Sequence, residues 1–229
     1  GETLYEIRSK KLFIPASNSK IITTAVALKY LGPNYRFSTQ IYTDGNLENR
    51  VLKGNLYIKG SGDPKLVTEQ LWLLVNELRN LPLKQIKGNI IGDDTFFDKK
   101  KRVKTWIENP GAQAYEAPLG SLSFNFNTIK VYVSPGRKVG DQPEIVIEPE
   151  NGYIKLENNG RTLKPGRRNR LIVNRVDKED HDLITISGGI NLGQPRAQYF
   201  LNITKPTQYA LNVFKSYIEL AGIKFDGKL

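Results

Sequence analysis

The sequence predicts an α+β fold, and three observations predict it. Apolar side chains recur at helical three- and four-residue spacing only near residues 17–31, 68–81 and 206–220. Between Ile86 and Ile203 the chain is instead a succession of short apolar runs separated by Gly, Pro and Asn, the pattern of a β-rich region. The composition, 39% hydrophobic and 25% charged, is that of an ordinary globular chain, and 229 residues suffice for one large domain or two modest ones.

Taken in order, the apolar runs 4–7 and 12–14 flank the turn-like Arg8-Ser9-Lys10-Lys11 and predict a β-hairpin that Pro15 ends. Residues 17–31 place Ile21, Ile22, Ala25, Val26, Leu28 and Leu31 at helical spacing, with Gly32 and Pro33 as the stop, so a buried helix is expected there. Strands follow at 35–43 and 51–59, around a turn at Asp44-Gly45-Asn46. The second helix, 68–81, presents Leu71, Leu74, Val75 and Leu78 on one face, with Pro82 close behind. Strands are expected at 88–91, 128–133, 144–147, 153–156, 170–175 and 183–190. The last helix, 206–220, carries Ala210, Val213, Phe214, Tyr217 and Leu220 on one face, with Gly222 as its cap. There is no internal repeat, low-complexity tract or long linker.

Composition narrows the chemistry. Without cysteine there is no disulfide framework, thiolate metal site or cysteine nucleophile. The single histidine, His181, sits in the acidic turn Lys178-Glu179-Asp180-His181-Asp182, a poor place for a catalytic base, which disfavours a Ser-His-Asp mechanism. Asp93 and Asp94 resemble a carboxylate pair, but neighbours on a strand point to opposite faces, so turn or capping roles are expected and no metal site. No run approaches the roughly 18 apolar residues of a membrane span. The chain opens at Gly1, not Met, so any signal peptide is expected to have been removed or to lie outside this sequence. A net charge of +11 favours an anionic partner, whether nucleic acid, acidic lipid or an acidic wall polymer. The densest basic runs, 99–102 with Lys104 and 164–170, lack interleaved aromatics, so they are expected to be solvated loops and no nucleic acid is expected.

The sharpest local signal is Pro15-Ala16-Ser17-Asn18-Ser19-Lys20, a serine opening a helix with a lysine three residues on. That spacing puts both side chains on one face, about one turn apart. A helix start adds free N–H groups and partial positive charge, which favour developing negative charge on the serine oxygen. The lysine either accepts the serine proton when neutral or stabilises the alkoxide when charged, and neither role needs a histidine. The alternative is an N-cap serine beside a solvated lysine. An exposed lysine in the first turn opposes the helix dipole, a small argument against it.

The stretch from Phe13-Ile14-Pro15-Ala16-Ser17-Asn18-Ser19-Lys20 to Leu28 resembles the nucleophile helix of class C low-molecular-mass penicillin-binding proteins, the D-alanyl-D-alanine carboxypeptidase/endopeptidase family. The resemblance continues through Leu31-Gly32-Pro33-Asn34-Tyr35, Gly60-Ser61-Gly62-Asp63-Pro64, Ile86-Lys87-Gly88-Asn89-Ile90 and Ala117-Pro118-Leu119-Gly120-Ser121-Leu122-Ser123 to Leu220-Ala221-Gly222-Ile223. It implies the N-terminal half or so of such an enzyme. The implied fold is a partial transpeptidase/β-lactamase-like catalytic domain (residues 1–37, with a return at 204–229) interrupted by a mainly β insert of two small lobes (38–203).

By the same resemblance, Ser17 is the acyl-forming nucleophile and Lys20 its general base or alkoxide partner, in cleavage of D-Ala-D-Ala or cross-bridge bonds of peptidoglycan stem peptides, without metal or organic cofactor. β-Lactams are implied as inhibitors and the periplasm or extracytoplasmic envelope as location, and the basic charge suits an anionic cell-wall polymer as a partner. The family's Lys-Thr-Gly is absent, so these residues alone are expected to be a poor catalyst. Ser123-Phe124-Asn125 spells Ser-x-Asn but matches a strand of the insert, so it is not assigned as the second catalytic motif. Asn125 stands where relatives often carry Asp and is a candidate substrate contact, with a structural strand amide as the alternative. The rival readings are a non-catalytic wall-binding scaffold and a basic nucleic-acid-binding protein.

Overall fold

The computed structural model describes residues 1–103 and 111–229; Lys104, part of the first basic run, lies outside the described residues. Two compact units divide between Phe37 and Ser38.

In the first unit, the Lys11 N–H donates to the Arg8 carbonyl at 2.9 Å, so the expected turn forms, but no strands flank it. The predicted hairpin is thus corrected to irregular chain, in keeping with the marginal stability of two strands without a third. A single 3-10 turn, Ala16–Asn18, leads into helix α1 (Ser19–Leu31). Gly32 ends α1 at φ 80°, its N–H donating to the Leu28 carbonyl. The expected burial is also corrected: α1 has no buried residue, and Ile21 and Ile22 are 71% and 69% exposed. Its apolar residues lie all round the axis, so no single face gathers them against one neighbour.

The second unit opens with β1 (Thr39–Thr43), β2 (Asn46–Glu48), β3 (Val51–Lys53) and β4 (Leu56–Gly60). Helix α2 (Thr68–Asn80) leads to β5 (Gln85–Ile86) and β6 (Ile90–Asp93). The β-rich middle supplies β7 (Thr128–Ser134), β8 (Glu144–Glu148), β9 (Ile154–Asn158), β10 (Arg161–Leu163), β11 (Ile172–Asp177), β12 (Asp182–Ser187), β13 (Gly189–Asn191) and β14 (Ala197–Asn202). Helix α3 (Pro206–Leu220) and β15 (Lys224–Phe225) complete the unit. The described strands form five small sheets, in the orders β1-β4-β6, β2-β3-β5-β15, β14-β7-β8, β11-β12-β9 and β10-β13.

Alternation selects what each sheet buries. On β7, Ile129, Val131 and Val133 point inward; on β12, Ile184 and Ile186 do so with Asp182. α2 buries Leu71, Val75 and Leu78, and α3 buries Tyr209, Val213, Phe214 and Ile218 on one stripe. α3 packs on β6 and α2, and Gly92 allows the approach, since a Cβ there would lie 2.7 Å from the Thr207 methyl. β15 pairs in parallel with β5, and residues 204–229 pack within the second unit. The amphipathic stripe of α3 explains this: its buried face finds its core among the strands the chain has just built.

Candidate active site

The site is built from the start of α1. Pro15 and Ala16 turn the chain, Ala16 in the left-handed region at φ 46°, a conformation that side-chain-bearing residues seldom adopt. The Asn18 N–H donates to the Pro15 carbonyl at 2.9 Å and the Ser19 hydroxyl to the Ala16 carbonyl at 2.8 Å, closing the 3-10 turn that holds Ser17. Lys20, in the first turn of α1, directs Nζ at Ser17 Oγ and donates to it at 3.1 Å. The N-caps of the 3-10 turn and of α1 are Pro15 and Asn18, and neither makes a side-chain cap bond. The arrangement is therefore a nucleophile-and-amine pair at a helix start, with no histidine beside it in the first unit.

Asn125 belongs to the second unit. Its Oδ1 accepts the Thr68 N–H at 3.0 Å, and its Nδ2 donates to Thr68 Oγ1 at 3.1 Å, so this amide caps α2, whose own N-cap Val67 has no side-chain acceptor. Asn125, Phe126 and Asn127 are three successive left-handed residues at φ 47°, 56° and 54°. For Phe126 this is an outlier of the kind that collects at functional sites. The same turn lines a cleft of about 880 Å³, whose walls include Thr68, Tyr115, Lys130, Glu148, Phe200 and Tyr217. Ser123 bonds the Gly120 carbonyl and the Asn127 amide, and Phe124 is buried, so Ser123-Phe124-Asn125 is part of a packed turn.

The two aspartates separate as strand alternation predicts. Asp93 accepts the Thr95 hydroxyl and N–H and pairs with Lys59 at 3.1 Å, which together hold its carboxyl at about 2. Asp94 turns inward. Burial pushes its carboxyl up, but donors from Lys101, Ser121, Leu122 and Thr207 outweigh this and hold it below the usual range. This junction of β6, the 121–122 segment and α3 was not legible in the sequence, because its partners come from distant parts of the chain. Asp182, fully buried, is pushed up by burial while accepting from the Thr204 N–H and hydroxyl. His181 contacts Asp180 at 2.6 Å in the β11–β12 turn, as the sequence suggests. Among the described residues no cluster of three or more His, Cys, Asp or Glu is placed to hold a metal, and no helix is long and apolar enough to cross a membrane.

Comparison with known proteins adds to this geometry. A model of the D-Ala-D-Ala carboxypeptidase 3 (S13) family matches residues 1–229. A D-alanyl-D-alanine carboxypeptidase of Actinomadura sp. (strain R39) is 27% identical across 99% of this chain and 43% of its own length. The D-alanyl-D-alanine carboxypeptidase DacB of Haemophilus influenzae is 25% identical over 64% of this chain and 31% of its own. The crystal structure of penicillin-binding protein 4 (dacB) from Haemophilus influenzae superposes with a TM-score of 0.76 over 94% of this chain and 47% of that one, at 22% identity, which shows a shared fold. The chain thus spans less than half the length of these relatives.

Proposed function

Because the chain belongs to the D-Ala-D-Ala carboxypeptidase 3 (S13) family, we propose that the whole protein is a serine-type D-alanyl-D-alanine carboxypeptidase and endopeptidase of peptidoglycan, working outside the cytoplasmic membrane. The observation that carries this reading is the 3.1 Å contact from Lys20 Nζ to Ser17 Oγ at a helix start, inside a chain that the family model matches throughout.

In the proposed reaction, Ser17 Oγ attacks the carbonyl of the penultimate D-alanine of a stem peptide. The hydroxyl proton passes to Lys20 if the amine is neutral; if it is charged, its contact steadies the developing alkoxide. Collapse of the tetrahedral species breaks the C–N bond, the leaving D-alanine amine takes a proton, and the peptide stays on Ser17 as an ester. Water then attacks the ester, releases the shortened stem peptide and restores the serine hydroxyl. A β-lactam enters by the same attack, its ring C–N bond opening to leave an acyl group on Ser17. A Haemophilus influenzae relative of this fold has been crystallised with a β-lactam, which supports penicillin sensitivity here.

Two features fit a site completed by further chain. α1 has no buried residue, and the relatives are more than twice as long as their matched regions. The groups that finish the site and cover α1 are proposed to lie outside these 229 residues. Asn125, on a strained turn in a cleft wall, is retained as the proposed substrate contact.

The test is release of D-alanine by the whole protein from a peptide ending in D-Ala-D-Ala. Ser17→Ala is expected to remove at least about 10³-fold of kcat, and Lys20→Ala to act on kcat far more than on KM. Turnover that survives Ser17→Ala would refute the assignment.

A further inference from the structure

We propose that the basic end of the second unit is a docking surface for a polyol-phosphate polymer, a flexible chain with one phosphodiester in each repeat. Three connections make this surface: residues 135–143 between β7 and β8, 164–171 between β10 and β11, and 192–196 between β13 and β14. Together they carry seven basic side chains, five of them arginines, against the one carboxylate of Asp141. Arg137, Lys138, Arg167, Arg168, Arg170 and Arg196 are all exposed, and none takes part in an ion pair among the described residues.

The connections are fastened to one short β10-β13 pair. The buried Thr162 receives the Gly136 N–H on its hydroxyl at 2.8 Å and the Gly140 N–H on its carbonyl at 2.9 Å, which ties the first connection to β10. The second begins two residues later and is stapled to β13. Asn169 accepts the Asn191 N–H at 2.9 Å, the Arg167 carbonyl accepts the Asn191 amide, and the Arg170 N–H donates to the Gly189 carbonyl at 3.1 Å. Gly188 lets the strands close here, since a Cβ would lie 1.8 Å from the Arg170 carbonyl. Arg196 lies over the Tyr132 ring at 3.8 Å and lines a shallow groove of about 330 Å³ with Asn169 and Gln194. The cations thus spring from an ordered backbone, which lowers the entropy lost on binding.

Guanidinium forks match phosphate oxygens in a way that point charges do not, which favours phosphate as the ligand group. The three connections contain no aromatic residue, so base stacking is not provided. Placing the polymer in the cell wall rests on the function proposed above; the binding itself does not.

The experiment titrates this chain with poly(glycerol phosphate). Parallel titrations use polyglutamate, duplex DNA, and vesicles of phosphatidylcholine with about 30 mol% phosphatidylglycerol. Arg167→Gln/Arg168→Gln/Arg170→Gln is expected to weaken poly(glycerol phosphate) binding about tenfold or more. Each lost phosphate contact removes ~0.7 from the slope of log K against log salt, about 2 in all. The network at Asn191 uses backbone groups of these residues, so the variant should keep its circular dichroism spectrum. Ser17→Ala should bind as the parent does, so failure of the catalytic reading would leave this result untouched. Wild-type binding by the triple variant would overturn the proposal. So would tighter binding of polyglutamate, DNA or vesicles than of poly(glycerol phosphate).

Discussion

Helices α1 and α3 are of similar length, 13 and 15 residues, and both are rich in apolar side chains, yet α3 buries seven residues and α1 none. The difference lies in pattern. α3 collects its apolar groups on one stripe, which a single layer of strands and α2 can cover. α1 spreads Ile21, Ile22, Val26, Leu28 and Leu31 round its axis, so no single neighbouring face can cover them, and all five are exposed. The second unit holds its own core, whereas the candidate nucleophile stands beside a helix with no buried residue.

That contrast can be broken or sharpened by substitution in this chain. Phe214→Ala, at a fully buried position on α3, is expected to cost about 3–5 kcal/mol, read as a lower urea midpoint at unchanged slope. Asp94→Ala unpins β6, the 121–122 segment and α3 together and is expected to cost about 2–3 kcal/mol, with its pH dependence as a second signature. Because folding depresses the carboxyls of Asp93 and Asp94, their stabilisation is present above the unfolded value of about 3.9. It is lost as pH falls toward the folded values, about 2 for Asp93. Asp182 has the opposite sign: burial raises its carboxyl, so protonation relieves a cost as pH falls through the raised value. The urea midpoint should therefore drop between about pH 4 and pH 2, and drop less in Asp94→Asn.

Asn125→Ala removes the borrowed cap of α2 and should cost about 1 kcal/mol, while Asn125→Asp keeps the acceptor and should cost less. Smallest of all, Ile22→Ala on bare α1 should stay within about 0.5 kcal/mol in this chain. A loss near that of Phe214→Ala would show that the first unit already has a core.

Much of the fold was legible where a segment's own pattern decides its state. α3 spans the predicted 206–220, α2 ends one residue early, and β7, β8, β9, β11 and β12 fall on predicted runs. β2, β5, β10, β14 and β15 were not foreseen, because short strands are defined by the partner they meet more than by their own residues. The Ser17–Lys20 pair was visible because helical spacing alone brings the two together. The Asn125 cap, whose partner lies 57 residues away, was not visible, nor was the meeting of residues 135–143 with the arginine-rich 164–171 around Thr162.

The most direct measurement is intact-mass spectrometry of the whole protein before and after benzylpenicillin, with Ser17→Ala alongside. One penicilloyl adduct is expected, mapped to the peptide that holds Ser17 and absent from the variant. A folded whole protein that gains no adduct, or an adduct that persists in Ser17→Ala, would contradict it.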